Sequence, residues 1–222
     1  MTDSYPIFPF YLVIDVSGSM SGALGAINAE LPALQSAIKN DPIVGDIARF
    51  AVITFAEEAE MQLPLSDLLD VETMPHLTPQ GSTNFQEVFE FLGECIPHDM
   101  EWFKGNGYKM YRPAIFFITD GNPSFAGWEP ALDALTSDQA QYRPNIVTFG
   151  FGQVSEANLQ RIATFKAYIA ETGSNPTDVL RTIAKQLTNS IMASSQQAAS
   201  GQAILTMPES MPGMRELPVD LV

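Results

Sequence analysis

The sequence has few of the residues on which several classes of protein depend. Its 222 residues include one cysteine, Cys95, so no internal disulfide can form. A single thiol is typical of a reducing compartment, and we therefore expect a cytoplasmic protein with an inert, buried Cys95. No run of about 18 apolar residues is present, which predicts that the chain has no membrane span. The first residues lack the basic segment of a signal peptide, so we expect none.

Basic residues are also scarce. Lysine and arginine number 11 against 26 aspartates and glutamates, which gives a formal net charge of −15. Such an excess of negative charge argues against nucleic acid and against anionic membrane surfaces as partners. Histidine occurs only at His76 and His98, each directly after a proline, and we expect both to be exposed.

What is present is enough for one globular domain. Hydrophobic residues make up 45% of the chain, and apolar runs of strand length alternate with segments of helical periodicity. The predicted strands are residues 10–15, 49–55, 60–65, 114–120, 145–150 and 166–170. The predicted helices are residues 24–38, 81–96, 130–135, 155–164 and 176–194, with the first bent by Pro32. Residues 100–110 are predicted to form a loop.

This order predicts an α/β fold with a Rossmann-like, doubly wound central sheet. The sheet should be mostly parallel, with helices on both faces. The connection between residues 55 and 60 is too short for a crossover helix, so the second and third strands should form one antiparallel hairpin at an edge. We expect the domain to span residues 1–193.

The remaining residues, 194–222, differ in composition. They are small and polar at first and then rich in proline and methionine. Such ends are poorly ordered unless something holds them, which favours a flexible tail. A docking peptide, or a tail that folds back on the domain or on a neighbour, is the alternative.

Oxygen-bearing side chains follow two of the predicted strands. Residues 15–19 read Asp-Val-Ser-Gly-Ser directly after an apolar strand, and Asp120 ends a second such strand. Thr83 lies in a Gly-Ser-Thr segment that opens a helix. Because ligands bind outside the carboxyl ends of strands in such sheets, these groups should meet there. Hard oxygen ligands suit a hard divalent cation such as Mg²⁺.

The spacing Asp-x-Ser-x-Ser, then Thr, then Asp resembles the metal-ion-dependent adhesion site of von Willebrand factor A proteins. Further segments, residues 10–22, 40–42, 52–55 and 119–123 together with Trp128, are similar to small stand-alone bacterial members of the tellurium-resistance TerY type. The resemblance covers residues 5–193 and implies a metal site formed by Asp15, Ser17, Ser19, Thr83 and Asp120.

The resemblance also implies what each residue does. Ser17 and Ser19 would ligate the cation directly, and Thr83 would do so directly or through water. Asp15 and Asp120 would act through water or by accepting hydrogen bonds from the hydroxyls. The cation would be Mg²⁺, or Mn²⁺ or Ca²⁺, and a partner protein would supply a Glu or Asp as the last ligand. A role in tellurium resistance or stress response, with kinase or phosphatase partners, is a further implication.

Three other functions are open to such a chain. One is a partner subunit of a ring-forming AAA+ ATPase, and another is a scaffold with a degenerate metal site. A metal-dependent hydrolase is the third, and we do not expect it. Ser17 stands where an aspartyl phosphotransferase usually has a second carboxylate, neither histidine suggests a triad, and no Gly-x-x-x-x-Gly-Lys loop occurs.

Overall fold

A computed structural model describes residues 6–202 and 204–219. Within them, seven strands form one sheet in the order β3-β2-β1-β4-β5-β6-β7. The strands are β1 (Phe8–Asp15), β2 (Ala48–Phe55), β3 (Ala59–Ser66), β4 (Ala114–Thr119), β5 (Asn145–Gly150), β6 (Lys166–Ala170) and β7 (Met214–Leu217). The helices are α1 (Leu24–Lys39), α2 (Pro42–Ile47), α3 (Phe85–Gly105), α4 (Glu129–Thr136), α5 (Glu156–Ile162) and α6 (Pro176–Ala199).

The predicted architecture is confirmed. Strands β2, β1, β4, β5 and β6 are parallel neighbours, and β3 pairs with β2 in an antiparallel hairpin. All residues of β1, β2 and β4 are buried, as expected for strands covered on both faces. Side chains of α1, α2 and α6 pack on one face of the sheet, and those of α3 and α4 pack on the other.

The third helix is longer than predicted. Residues 100–105 continue α3 rather than forming part of a loop, because Met100 and Phe103 extend its apolar stripe onto the core. The two glycines at 105 and 107, which suggested a loop, mark the end of the helix instead. Pro97 lies inside α3 and Pro32 inside α1, so tertiary packing offsets the hydrogen bond that each proline removes.

One short helix was missed. The Asn-Asp-Pro segment at residues 40–42 ends α1 and at once begins α2, since the Asp41 carboxylate accepts hydrogen bonds from the backbone N–H groups of Ile43 and Val44. Pro42 then occupies the first helical position, where its missing N–H costs nothing.

The C-terminal segment differs most from expectation. The last helix runs to Ala199, and β7 adds a second antiparallel edge beside β6. The expectation of a flexible tail is therefore corrected in favour of the fold-back alternative for residues 194–202 and 204–219. Apolar side chains spaced along this segment are buried against the domain: Leu205, Met207, Met211, Met214 and Leu217. Residues 220–222 lie outside the described part.

Candidate metal centre

The end of β1 places the first predicted residues at the carboxyl edge of the sheet, the edge at which β1, β2, β4, β5 and β6 end. Asp15 is the last residue of β1 and is fully buried. Its Oδ1 accepts a hydrogen bond of 2.8 Å from the backbone N–H of Ser17. After this contact the chain forms a 3₁₀ helix, Gly18–Gly22, in which Ser19 is exposed.

The two serine hydroxyls lie side by side. Ser17 Oγ and Ser19 Oγ are 3.2 Å apart, and Ser19 Oγ donates a 2.7 Å hydrogen bond to Asp120 Oδ1. Adjacent ligands of an octahedral Mg²⁺, each about 2.0–2.1 Å from the ion, lie about 2.9 Å apart. The spacing of the two hydroxyls therefore fits neighbouring positions around such a cation.

Thr83 reaches the same place from a different loop. Backbone hydrogen bonds tie this loop to the first one, from Gly18 N to the Gly81 carbonyl (3.1 Å) and from Gln80 N to the Val16 carbonyl (2.6 Å). Thr83 is 6% exposed, and its polar interaction with Asp15 lowers the pKa of that carboxyl.

Asp120 completes the arrangement from the loop after β4. A backbone hydrogen bond of 2.8 Å from Ser124 N to the Thr83 carbonyl joins this loop to the one before α3. The same loop is also held by Asn122, whose side-chain amide oxygen accepts a 2.7 Å hydrogen bond from Ser155 N. The structure thus brings together all five residues that the sequence singled out.

The two carboxylates differ in exposure but are shifted in the same direction. Burial raises the pKa of Asp15, and polar interactions with Ser17, Thr119 and Thr83 oppose that rise. Burial also raises the pKa of Asp120, with a smaller upward effect from the charge of Asp15. Among the residues that the structure describes, no lysine, arginine or histidine contributes to either pKa. Two neighbouring carboxylates without such a partner favour a bound cation.

Two residues that sequence reasoning did not assign support the site. Thr119 Oγ1 donates a 2.7 Å hydrogen bond to Asp15 Oδ2 and so fixes the second oxygen of that carboxylate. Ser124 Oγ accepts from Thr83 N at 3.3 Å. Thr119 stood in the segment beginning at residue 119 that resembles the family, which was a usable signal. Ser124 gave none, because its contact joins residues that are 41 positions apart.

The donor set suits a hard cation. In residues 6–202 and 204–219, no three His, Cys, Asp or Glu side chains cluster in a way that could hold a metal. A cation at the carboxyl edge would depend on the Ser17, Ser19 and Thr83 hydroxyls together with two carboxylates, which is oxygen chemistry throughout.

The other residues noted in the sequence lie away from this site. His76 and His98 are exposed, as predicted. Cys95 is half-buried on α3, and burial raises its thiol pKa to about 12, in agreement with an unreactive thiol. Among the described residues, no helix is both long enough and apolar enough to cross a bilayer.

Comparison with solved structures shows the fold. A von Willebrand factor type A protein from Catenulispora acidiphila is 17% identical, with a TM-score of 0.54, over 85% of this chain and 43% of that one. The pilus adhesin SpaC from Lactobacillus rhamnosus GG, in an open conformation, is 13% identical, with a TM-score of 0.62, over 86% of this chain and 30% of the adhesin.

A third structure has a lower TM-score. Proximal thread matrix protein 1 from the mussel byssus, with a zinc-occupied metal-ion-dependent adhesion site, is 20% identical, with a TM-score of 0.47, over 83% of this chain and 47% of that one. This chain spans less than half the length of each of the three.

Sequence comparison identifies the family. No curated protein matches the sequence of this chain. The family model described as von Willebrand factor type A domain matches residues 10–122, just over half of the chain. That range includes all five residues of the site and most of the strands that position them. This chain therefore belongs to the von Willebrand factor type A domain family.

Proposed function

We propose that this domain is a divalent-cation-dependent protein–protein interaction module. The observation that carries the proposal is the convergence of three hydroxyls and two carboxylates from three separate loops at one edge of the sheet. Asp15, Ser17 and Thr83 are buried, whereas Ser19 is exposed and Asp120 is half-exposed. A cation held here would be open to a partner from the side of Ser19 and Asp120.

Each residue has a distinct part in this proposal. Ser17, Ser19 and Thr83 would hold the cation through neutral oxygens, and Asp15 and Asp120 would act through water or accept hydrogen bonds from those hydroxyls. Because the direct ligands would be neutral, the cation would stay electrophilic towards a carboxylate from outside. When bound, the cation supplies an electrophilic centre to which a partner Glu or Asp coordinates in place of water.

Mg²⁺ is the proposed cation, with Mn²⁺ and Ca²⁺ as substitutes, because it takes oxygen ligands and keeps replaceable waters. Binding rather than catalysis is proposed because a serine nucleophile requires an adjacent base. Both histidines are exposed, and His98 lies on α3 beside Asp99. The tellurium-resistance or stress-response role, with kinase or phosphatase partners in the cytoplasm, is a proposal that rests on the resemblance of sequence segments alone.

Calorimetric titration of Mg²⁺ and Mn²⁺ into EDTA-treated protein tests the metal site. We expect saturable binding of one cation by the wild type and its loss in Asp120→Ala. Asp70→Ala, at an exposed position in the loop after β3, is the matched control and should bind as the wild type does. Circular dichroism checks that each variant is folded. Equal binding by Asp120→Ala and the wild type, or none by the wild type, would contradict the proposal.

A further inference from the structure

Basic residues are concentrated at the edge of the sheet opposite the metal centre. Eight of the 11 lysines and arginines lie in the last turns of helices, in the loops that lead into strands or at the starts of strands, which the parallel topology places at the amino edge. They are Lys39, Arg49, Lys104, Lys109, Arg112, Arg143, Arg161 and Lys166. The folding topology therefore separates positive charge from the candidate site.

The carboxyl edge is predominantly acidic. We call six segments that border the site the carboxyl-edge loops: residues 16–23, 56–58, 78–84, 120–128, 151–155 and 171–175. None contains lysine, arginine or histidine, although Glu57, Glu58, Asp120 and Glu171 lie within them. Two arginines outside these loops form ion pairs, Arg215 with Glu156 at 2.6 Å and Arg181 with Asp178 at 2.9 Å.

Glu57 packs against the loop of residues 78–84, which carries Thr83. Its side chain covers Gly81, where an added Cβ would lie 2.8 Å from the Glu57 Cδ and 2.9 Å from Oε1. The Gly81 carbonyl in turn accepts from Gly18 N, between the two site serines. Glu57 therefore holds a negative charge next to the Ser17–Ser19 turn. We call Glu57, Glu58 and Glu171 the rim.

Phe125 provides an apolar contact on another side of the centre. Its side chain is 55% exposed, so a large aromatic surface of a kind that is usually buried faces solvent. The preceding residue, Ser124, forms two hydrogen bonds with the backbone of Thr83. Phe125 is therefore anchored beside a predicted metal-binding residue rather than on a free loop.

We propose that the partner binds through a carboxylate that is flanked by basic residues and by a bulky apolar side chain. This inference rests on the proposed function and specifies the chemistry of its partner. A divalent cation neutralises Asp15 and Asp120 and leaves the charges of Glu57, Glu58 and Glu171 in place. The rim then repels an acidic segment and attracts lysine or arginine, while the apolar side chain packs on Phe125.

Labelled peptides test the inference by fluorescence anisotropy. The probe is Gly-Lys-Lys-Leu-Glu-Lys-Lys-Gly, measured with Mg²⁺ and with EDTA. A second peptide has glutamine in place of each lysine, and a third has glutamine in place of the central glutamate. We expect the lysine peptide to bind about tenfold or more tightly than the second, since several favourable rim charge pairs each contribute a fewfold. The third peptide should lose binding that depends on Mg²⁺.

Variants locate the effect on the protein. Glu57→Gln should weaken binding of the lysine peptide about two- to fivefold and leave the glutamine-flanked peptide unchanged. Glu72→Gln, which removes the same charge at an exposed position near the amino edge, should have no effect. Phe125→Ala should weaken both peptides that carry the leucine and the glutamate, by about fivefold.

The outcomes separate this inference from the proposed function. Equal affinity for lysine-flanked and glutamine-flanked peptides would overturn the inference, while dependence on Mg²⁺ and on the central glutamate would still support the proposed function. Equal binding in EDTA, or no Mg²⁺-dependent binding of any peptide by a protein that binds Mg²⁺ in the calorimeter, would also overturn the inference. Failure of the metal titration itself would contradict the proposed function.

Discussion

At the scale of single residues, the site depends on side chains that never touch the proposed cation. Asp15 is fully buried, and its two oxygens accept hydrogen bonds from Ser17 N at 2.8 Å and Thr119 Oγ1 at 2.7 Å. A buried carboxylate that lost one of these partners would be less well oriented and more costly to keep charged. The sequence identified Asp15 but not the residue that positions it.

We predict that Thr119→Val weakens Mg²⁺ binding about tenfold or more, as is common when a residue that orients a metal ligand is removed. The change keeps the side-chain shape and should cost about 1 kcal/mol of stability. Thr148→Val is the control: Thr148 is equally buried and donates to the Leu159 carbonyl at 3.1 Å. Thr148→Val should lower the free energy of unfolding and leave the affinity for Mg²⁺ unchanged. Calorimetry and urea unfolding measure both quantities, and equal affinities in the two variants would contradict the prediction.

A second residue-scale prediction concerns Asp99, which accepts a 3.0 Å hydrogen bond from the buried Tyr11 hydroxyl. Burial raises the pKa of Asp99, against opposing effects of Tyr11 and His98. A carboxyl whose pKa is raised by folding stabilises the protein below its ordinary pKa, and that contribution is lost as the pH rises through the raised value. Asp99→Asn keeps an acceptor for Tyr11 and removes this dependence.

The stability of Asp99→Asn relative to the wild type should therefore increase as the pH rises from about 4 to about 7. Urea unfolding across this range measures it. Asp70→Asn, which removes an exposed charge, is the control for a change in net charge alone. A stability difference that is constant with pH, or one that decreases, would show that burial does not control the protonation of Asp99.

At the scale of elements, the C-terminal segment is part of the fold. It joins α6 to the edge of the sheet through hydrogen bonds as well as apolar burial. Thr206 N donates to Ser194 Oγ at 2.9 Å, and Tyr168 on β6 donates from its hydroxyl to the Pro208 carbonyl at 3.1 Å. Strand β7 then covers the edge of β6, which would otherwise present unpaired backbone groups.

Removal of all residues after Ala199 should lower the free energy of unfolding by at least about 3 kcal/mol. Five buried apolar side chains are lost, and the burial of each contributes roughly 1.5–3 kcal/mol. The entropic cost of ordering the segment offsets part of that sum. Ile204→Ala is the control, since Ile204 lies in the same segment but is 54% exposed; it should change stability by less than about 0.5 kcal/mol. A truncated protein as stable as the wild type in urea would show that the segment does not hold the domain together.

At the scale of the whole molecule, folding is what assembles the candidate site. Asp15 and Asp120 are far apart in sequence and meet only because β1 and β4 are parallel neighbours in the sheet. The unfolded chain has no such arrangement, so a cation that binds the folded form should stabilise it. The stabilisation reaches about 2.7 kcal/mol when free Mg²⁺ is at 100 times its dissociation constant.

We therefore expect Mg²⁺ to raise the midpoint of thermal unfolding of the wild type relative to EDTA, and Asp120→Ala to show no such rise. Sodium chloride at matched ionic strength controls for general screening of the 26 acidic residues. An equal rise in Asp120→Ala, or an equal rise in sodium chloride, would assign the effect to the acidic surface instead of the site.

The sequence by itself predicted six of the seven strands that the described residues form, most of the helices and the five residues of the candidate site. Strand periodicity and the Asp-x-Ser-x-Ser spacing are local patterns, and the rule that sites lie at the carboxyl ends of parallel strands brings Asp15 and Asp120 together without coordinates. The helix of residues 100–105 was not recognised because Gly105 and Gly107 suggested a loop. The packed C-terminal segment was not recognised because its apolar side chains are spaced irregularly and are buried only by distant parts of the core.

The tertiary structure alone decided three features. It placed Thr119 against Asp15 and Ser124 against Thr83, contacts between residues that are 104 and 41 positions apart. It exposed Phe125 beside the site, although an aromatic residue is by default a candidate for the core. It also gathered the basic residues at the amino edge, because side chains spread along the chain share an edge only after parallel strands have aligned their ends.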